Sequence, residues 1–355
     1  MHRLVLTLVV TIRSLASVSR EGGGGILAEW KEFKTAFGKS YPNSSFDKAH
    51  RTIFRRNVNL TRKHNDRFKK GEETWSMNTT RFSDMTDEEL RDFFPRAVEG
   101  MSATPFADSN GLIDGVLDGL NASVTRVKRQ DWAFPFFSWI DFRPVVIRKK
   151  AKKYPTCIPP AAFAAVAAVE AAHAIKNYDI FDLSEQHVAE CAGMGKGCGG
   201  GTLEDAFEAI EHSGVITTRR YLKRVKAGRR SCNSTSLKKR SKVRVASIER
   251  VPEQDEFLLG KIVRDIGPVA ACFPIDTNFL QYGGGVYAPP PSFTASLMSC
   301  GLVVGYDYRI RTGVEAWIIK TNLGSDWGEG GIVRWRKNID VPWNLAAYAW
   351  YPVME

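Results

Sequence analysis

The sequence predicts an α+β fold built from two units, and three observations predict it. Charge-rich segments with helical periodicity fill residues 27–94. A segment rich in Gly, Ser, Ala and Asp, without clear periodicity, follows over residues 96–125. After residue 130, helical patterns come first and β-rich runs bounded by turn residues come later. Helices and strands in separate runs are typical of α+β folds, here expected as two lobes with a cleft between them.

Length, composition and net charge limit the class of protein. A length of 355 residues suggests two or three domain-sized units, and 43% hydrophobic residues is ordinary for a folded protein. The net charge of +11 favours acidic partners. Glycans, anionic membrane surfaces and nucleic acid are all partners of this kind.

Several features indicate export. Residues 1–19 are interpreted as a signal peptide, with a basic start at Arg3 and an apolar run from Leu4 to Ile12; the alternative is a buried N-terminal strand. The six cysteines all lie after residue 156, which favours an oxidising compartment. Predicted glycosylation acceptors, which also favour export, are Asn43, Asn59, Asn78, Asn121 and Asn233.

Three helices are predicted in the first unit, residues 27–95. Apolar side chains at helical spacing indicate one helix from Leu27 to Phe37 and a longer one around Ile53 to Thr61. A capping box of Thr86 and Glu89 opens the third. The linker, residues 96–129, ends at a basic tetrad, 126–129, which is either a convertase processing site or an uncleaved basic linker.

The second unit, residues 130–355, begins with helices. Ala161–Lys176 is Ala-rich with high helix propensity, and Leu203–His212 is opened by Thr202 and ended by Gly214. The strands predicted after them are Val243–Ile248, Val269–Phe273, Leu302–Tyr306, Ala316–Thr321 and Gly331–Arg336.

Several motifs, taken in their order along the chain, carry a resemblance to a known family. They are Leu183-Ser184-Glu185-Gln186, Glu190-Cys191, the run 197–201, Gly305-Tyr306, Trp317-Ile318-Ile319-Lys320, the run 324–331 and Tyr351-Pro352. In this order the second unit resembles the papain-like cysteine proteases. The first unit resembles their inhibitory propeptide through Asp47, Arg51, Phe54, Asn57, Asn65 and residues 81–84. A weaker resemblance, through 211–215 and 337–340, is to the mite group 1 allergen branch.

The resemblance implies where the chemistry of the family would lie. Such chemistry uses a thiolate at a helix N-terminus, a histidine base, a side chain that orients it, and oxyanion donors. Counted from Cys157, the thiol position falls on Pro160 and the oxyanion glutamine on Tyr154; the histidine and orienting positions fall on Ser299 and Thr321. A one-residue slip would place Asn322 at the orienting position.

These substitutions predict a protein that is not an enzyme, a degenerate relative of the family. The six histidines all precede residue 213, so a base from the second half of this unit is absent from the sequence. The predicted function is binding, as a decoy or competitor for protease inhibitors, peptides or anionic surface ligands. The alternatives are a residual or altered cysteine-type peptidase or hydrolase activity, and an extracellular glycan- or surface-binding structural protein.

The cysteines have mainly structural interpretations. The resemblance implies disulfides from Cys157 to Cys198 and from Cys191 to Cys232, with free core thiols as the alternative; a zinc site is disfavoured by the spacing. Cys272 and Cys300 would line the pocket for the second residue of a substrate, either bridged or as two free thiols. Gly200 and Gly201 resemble backbone contacts for substrate in the cleft.

A basic cluster follows in the second unit. Twelve Lys or Arg residues and no acid lie between Arg219 and Arg244, either as a solvated face or as an anion site for sulfated glycan or an anionic surface. The predicted anion-binding residues are Arg219, Arg220, Lys223, Arg224, Arg229, Arg230, Lys238, Lys239 and Arg240. No cofactor, metal or nucleic-acid partner is implied, and the expected location is secreted or, by family, endolysosomal.

Overall fold

The computed structural model describes residues 25–94, 136–142, 159–194, 201–226, 243–252, 255–289, 297–309, 313–339 and 344–355. Several predicted features lie outside these residues: the signal peptide, the linker with its basic tetrad, Tyr154, Cys157, Cys198, Cys232, Gly200, Asn121, Asn233 and the cluster residues from Arg229 to Arg240.

The first unit consists of helices that enclose a small aromatic core. Its elements are α1 (Ile26–Phe37), α2 (Ser44–Lys69), β1 (Trp75–Met77) and α3 (Asp87–Phe93). Trp30 and Phe33 of α1 pack against Phe54 and Val58 of α2, and all four are buried. Because these residues recur at helical spacing, each helix presents one apolar stripe to the other. The predicted capping box is confirmed at the start of α3.

The second unit starts with helices. They are preceded by β2 (Phe136–Ser138) and comprise α4 (Trp139–Phe142), α5 (Pro160–Asn177), α6 (Glu185–Cys191), α7 (Leu203–Ser213) and α8 (Thr218–Lys226). Most side chains of α5 are buried, which explains its Ala-rich sequence: a helix surrounded by neighbours has little room for larger residues. The capping box of Thr202 and Asp205 is present at α7.

Strands dominate the rest of the second unit. The elements are β3 (Val245–Arg250), α9 (Glu256–Asp265), β4 (Val269–Ile275), a 3₁₀ turn (Phe279–Gln281), β5 (Tyr282–Tyr287), β6 (Leu297–Arg309), β7 (Val314–Lys320), β8 (Ile332–Arg336), a second 3₁₀ turn (Leu345–Tyr348) and β9 (Ala349–Met354).

Strands of both units join in a single sheet. Within the described residues its order is β1-β5-β8-β7-β6-β4-β9-β3, with β2 paired to β6. The β5–β8 pair is parallel and the other pairs are antiparallel. The edge position is therefore taken by β1, a strand of the first unit laid on β5 of the second.

The α+β prediction is confirmed, and every helix and strand predicted from the sequence has a counterpart. The elements that the sequence reasoning missed are α4, α6, α8, α9, β1, β2, β5 and β9. Among the described residues, none of the helices combines the length and apolarity that a membrane crossing requires.

Candidate functional site

The contact between the two units is centred on the pairing of β1 with β5. Trp75 lies opposite Gly285 and Ser76 opposite Gly284, before the register shifts at Met77. Backbone bonds extend the pairing at both ends, from Val286 N–H to Thr74 C=O (2.9 Å) and from Asn78 N–H to Gln281 C=O (2.7 Å). We call this contact the seam. It satisfies backbone groups that would otherwise lie at a bare sheet edge.

Side chains of the first unit continue the seam beyond the strands. The hydroxyl of Thr80 donates to Leu280 C=O at 2.8 Å, and that of Ser83 donates to Gln281 Oε1 at 2.5 Å. All of these groups are buried except for an outer ion pair between Arg81 and Asp326. Buried polar groups of this kind must be matched, so the contact is specific in register.

Trp75 is the apolar centre of the seam. Its ring lies 4.8 Å from the ring of Tyr287 and 4.1 Å from that of His64, centroid to centroid, and the residue is 4% exposed. His64 Nε2 bonds Trp75 C=O at 2.9 Å. Burial lowers the pKa of His64, which favours the neutral imidazole.

The half-buried carboxylate of Asp276 fixes the segment that carries β5. Asp276 accepts from the N–H of Phe279 at 2.7 Å, from the Tyr287 hydroxyl at 3.1 Å and from the side chain of Asn278 at 2.9 Å. Burial raises the pKa of Asp276, and burial also raises the pKa of Tyr287. The aromatic surface under Trp75 is thus held by a small, partly buried group of hydrogen bonds around Asp276.

Gly285 allows the close approach of β1. Its φ is +92°, and a Cβ there would lie 2.5 Å from Thr74 O and 2.8 Å from Trp75 Cα. Any side chain would meet backbone of the first unit, which has no flexible end to move aside. Glycine at 285 is therefore required by the seam, although glycine weakens the strand itself.

The cleft positions implied by the family resemblance gather where α5 meets the sheet. Pro160 is the first residue of α5 and is buried, and proline is well tolerated at a first helical position. One turn later, the ring of Phe163 lies 5.9 Å from Lys320 Nζ at the end of β7. The start of α5 and the end of β7 therefore face each other.

Ser299 and Thr321 lie inside this junction, both fully buried. The Ser299 hydroxyl has no hydrogen-bond partner among the described residues, whereas Thr321 Oγ1 donates to Gly331 C=O at 3.0 Å. A buried hydroxyl without a hydrogen-bond partner lowers the free energy of unfolding. The roles assigned to Pro160, Ser299 and Thr321 stay predictions.

Cys272 and Cys300 are bridged, which settles the alternative left open by the sequence. They lie opposite each other on β4 and β6, and Phe273 lies opposite Ser299 in the next pair. The bridge thus joins the two strands beside Ser299. Cys191 is also disulfide-bonded, and the other three cysteines lie outside the described residues.

The remaining predicted sites are scattered. Gly201 has φ +77° and lies against Met194. Arg219 and Arg220 are exposed on α8, which also carries Lys223 and Arg224. Asn59 and Asn78 are exposed, and Asn43 caps α2 by accepting from two backbone N–H groups. Glycosylation at these asparagines and anion binding at the arginines stay predictions.

Sequence reasoning missed the functional residues of the seam. The predicted site did not include Trp75, Ser83, Gln281 or Gly285. Each of them pairs or forms a hydrogen bond with a residue about 200 positions away in the sequence. The Gly-Gly-Gly run of 283–285 was the available signal, since glycine inside a strand often marks close backbone approach.

Comparisons with known proteins agree with this architecture. Residues 138–353 match the family described as papain family cysteine protease, and residues 30–90 match the cathepsin propeptide inhibitor domain. The first match covers more than half of the chain. It confirms the papain-like fold with an N-terminal propeptide that the motifs predicted.

Several of the similar proteins are peptidases by name. A cathepsin L-like peptidase of Aedes aegypti is 28% identical over 92% of this chain and 93% of its own. Digestive cysteine proteinase 3 of Homarus americanus is 27% identical over 92% and 94%. The structure of digestive procathepsin L 3 from Tenebrio molitor aligns with a TM-score of 0.70 and 25% identity, over 93% of this chain and all of that one.

These comparisons correct one prediction. The sequence-based conclusion that the chain is not an enzyme is wrong, since the matching family and the relatives' names point to a cysteine peptidase. The conclusion rested on four cleft positions and on the absence of histidine after residue 212, whereas the similarity extends over nearly the whole chain. Position 160 holds proline and position 299 holds serine, and their assignment to the catalytic positions of the family stays a prediction.

Proposed function

Because the chain belongs to the papain family of cysteine proteases, we propose that it is a proform whose second unit binds extended peptide segments. The first unit occupies this binding surface in the intact chain. The observation that carries the proposal is the seam, where β1 completes the sheet of the second unit through backbone bonds and a buried tryptophan. Strand addition of this kind gives affinity through the main chain and specificity through side-chain pockets.

Release of the first unit would convert β5 into a bare edge. Such an edge offers unpaired N–H and C=O groups to any extended chain. The edge lies above the aromatic surface that receives Trp75, including Tyr282 and Tyr287. A peptide or a protein inhibitor that presents an extended strand with one large aromatic side chain matches this surface. The resulting role is that of a competitor for peptides or protease inhibitors.

Cysteine-type peptidase activity is the second function supported, and the names of the relatives favour it. Binding of an extended peptide is the first step of such a reaction as well, so both functions use the same surface. They differ in whether the bound peptide leaves intact.

A secretory route fits both functions. An inhibitory propeptide precedes the family domain, and Cys272 and Cys300 form a disulfide. Disulfides persist in oxidising compartments. The predicted signal peptide and glycosylation sites agree with this route.

The test separates the two units and measures binding and turnover in one sample. A site for a sequence-specific protease is placed within residues 96–125, the cleaved units are separated in mild denaturant, and labelled first unit is titrated back. Peptide libraries are then offered as competitors, and the products are analysed by mass spectrometry. Intact recovered competitor supports binding alone, whereas specific fragments support the peptidase.

A glycine pair provides the matched control. Gly285→Ala puts a methyl group against Thr74 O at a φ of +92°. Gly313→Ala also places alanine at a positive φ, +63°, but no atom lies within 4 Å of its methyl group. We expect Gly285→Ala to weaken re-binding of the labelled first unit about tenfold or more. In free energy this corresponds roughly to the loss of one backbone hydrogen bond or its equivalent. Equal affinities for the two variants would contradict the proposal.

A further inference from the structure

Both backbone polar groups of Gly285 are held by side chains of the second unit. The Gly285 N–H donates to Glu329 Oε1 at 3.0 Å, and the Tyr282 hydroxyl donates to Gly285 C=O at 2.7 Å. A glycine in a strand normally has wide backbone freedom, because it lacks a side chain. Here two hydrogen bonds fix it at a φ of +92°. We call the pair of side chains, Tyr282 and Glu329, the clamp.

The carboxylate of Glu329 is itself held in place. Its Oε2 accepts from Arg334 Nε at 2.8 Å, and Arg334 Nη1 donates to Asp307 at the end of β6. The side chains of these three residues are each less than a third exposed. Hydrogen bonds between charged groups are stronger than those between neutral groups, so the carboxylate has a defined position beside Gly285.

The clamp acts where the pairing of β5 with β8 stops. Within the described residues that pairing joins Val286 to Arg334 and Tyr287 to Trp335. Gly285 lies one residue before it, and there the Glu329 carboxylate takes the place of a strand partner. On the seam, Gly285 lies opposite Trp75. The clamp therefore fixes β5 at the position that receives the buried tryptophan.

Every atom of the clamp belongs to the second unit. The shape that it gives to β5 therefore does not depend on the presence of β1. An edge that is fixed in advance binds an extended chain at a lower entropic cost than an edge that must first become ordered. Without the clamp, the glycine run 283–285 would gain backbone freedom whenever the first unit leaves.

We propose that Glu329 is a positioning residue for strand binding. Together with Tyr282 it preforms the edge of β5 with which the first unit, or a peptide in its place, pairs. The biological role of Glu329 rests on the proposed function, whereas its test uses only the seam of the intact chain. A purely structural role would stabilise the pairing of β7 with β8 as much as the seam.

Three variants of the intact chain separate these roles. Glu329→Ala removes the acceptor for Gly285 N–H. Tyr282→Phe removes the donor to Gly285 C=O but keeps the ring, whose centroid lies 6.2 Å from that of Trp75. Glu315→Ala is the control with the same change of charge. Glu315 pairs with Lys337 from β7, a strand that β8 separates from β5.

Amide hydrogen exchange is measured at four positions. Asn78 and Val286 report on the seam, whereas Thr321 and Lys337 donate to C=O groups elsewhere in the second unit. In Glu329→Ala we expect both seam amides to exchange about ten- to a hundredfold faster. The reason is that a hydrogen bond to a charged group is lost and the open edge gains freedom. Exchange at Thr321 and Lys337 should change about twofold or less.

The clamp also predicts coupling between its two members. Tyr282→Phe should accelerate the same two seam amides. The double variant should accelerate them by less than the product of the single effects, because both side chains act through Gly285. Seam exchange in Glu329→Ala that is no faster than in Glu315→Ala would overturn the proposal. Equal acceleration of all four amides would overturn it as well. The proposed function is judged separately, by the competition of peptides with the first unit.

Discussion

Replacing Trp75 by alanine is the perturbation that bears most directly on the seam. The residue is 4% exposed and contacts Tyr287 across the seam and His64 within the first unit. Truncating a buried tryptophan costs about 3–5 kcal/mol. At about 1.4 kcal/mol per factor of ten, opening of the seam should become easier by roughly two to three and a half orders of magnitude.

Amide hydrogen exchange measures this opening in the intact chain. The informative amides are those of Asn78 and Val286, which donate to Gln281 and Thr74 across the seam. Exchange of a protected amide follows the local opening equilibrium, so both should exchange faster in Trp75→Ala by the factor above. Amides in the middle of α2 report whether the first unit has lost stability as a whole.

A second tryptophan serves as the matched control. Trp139 is 6% exposed, donates to Val263 C=O and packs against Phe137 and Phe142, away from the seam. Trp139→Ala should leave exchange at Asn78 and Val286 within a few-fold of the unmodified chain. Unchanged protection of both amides in Trp75→Ala would refute the reasoning, as would equal effects of the two variants.

Three further changes have distinct expected outcomes. Ser83→Ala removes the donor to buried Gln281, and an unmatched buried oxygen should lower the free energy of unfolding by about 1–3 kcal/mol, measured by urea denaturation. Burial lowers the pKa of the His64 imidazole. The contribution of neutral His64 to stability is therefore complete above about pH 6.5 and falls as the pH drops below that value. His64→Gln should remove this part of the pH dependence of the free energy of unfolding between about pH 8 and 5. The double variant Cys272→Ala, Cys300→Ala opens a loop of 28 residues and should lower the free energy of unfolding by about 3–4 kcal/mol.

Local sequence signals account for the parts of the fold that were predicted. Thr86 with Glu89 and Thr202 with Asp205 are capping boxes whose partners lie three residues apart, and both are present. The Ala-rich α5 likewise depends on its own sequence. Such features need no information about distant residues, so they can be predicted from the chain alone.

The seam could not be predicted in the same way. Tyr282–Tyr287 contains three consecutive glycines, which have low strand propensity, and it becomes a strand only because β1 and β8 flank it. The choice between bridged and free Cys272 and Cys300 likewise depended on the pairing of β4 with β6.

The cleft shows how local reasoning can fail. The substitutions at Pro160, Tyr154, Ser299 and Thr321, with the absence of histidine after residue 212, led to the conclusion that the chain is not an enzyme. Similarity along nearly the whole chain contradicts that conclusion.

The central claim is that the second unit binds the first as an extended strand. The direct measurement is size-exclusion chromatography after the linker has been cut within residues 96–125, at neutral pH and without denaturant. The account predicts that both fragments elute together and that Gly285→Ala, but not Gly313→Ala, weakens this association. Elution of the unmodified fragments as two separate folded species at micromolar concentration would contradict it.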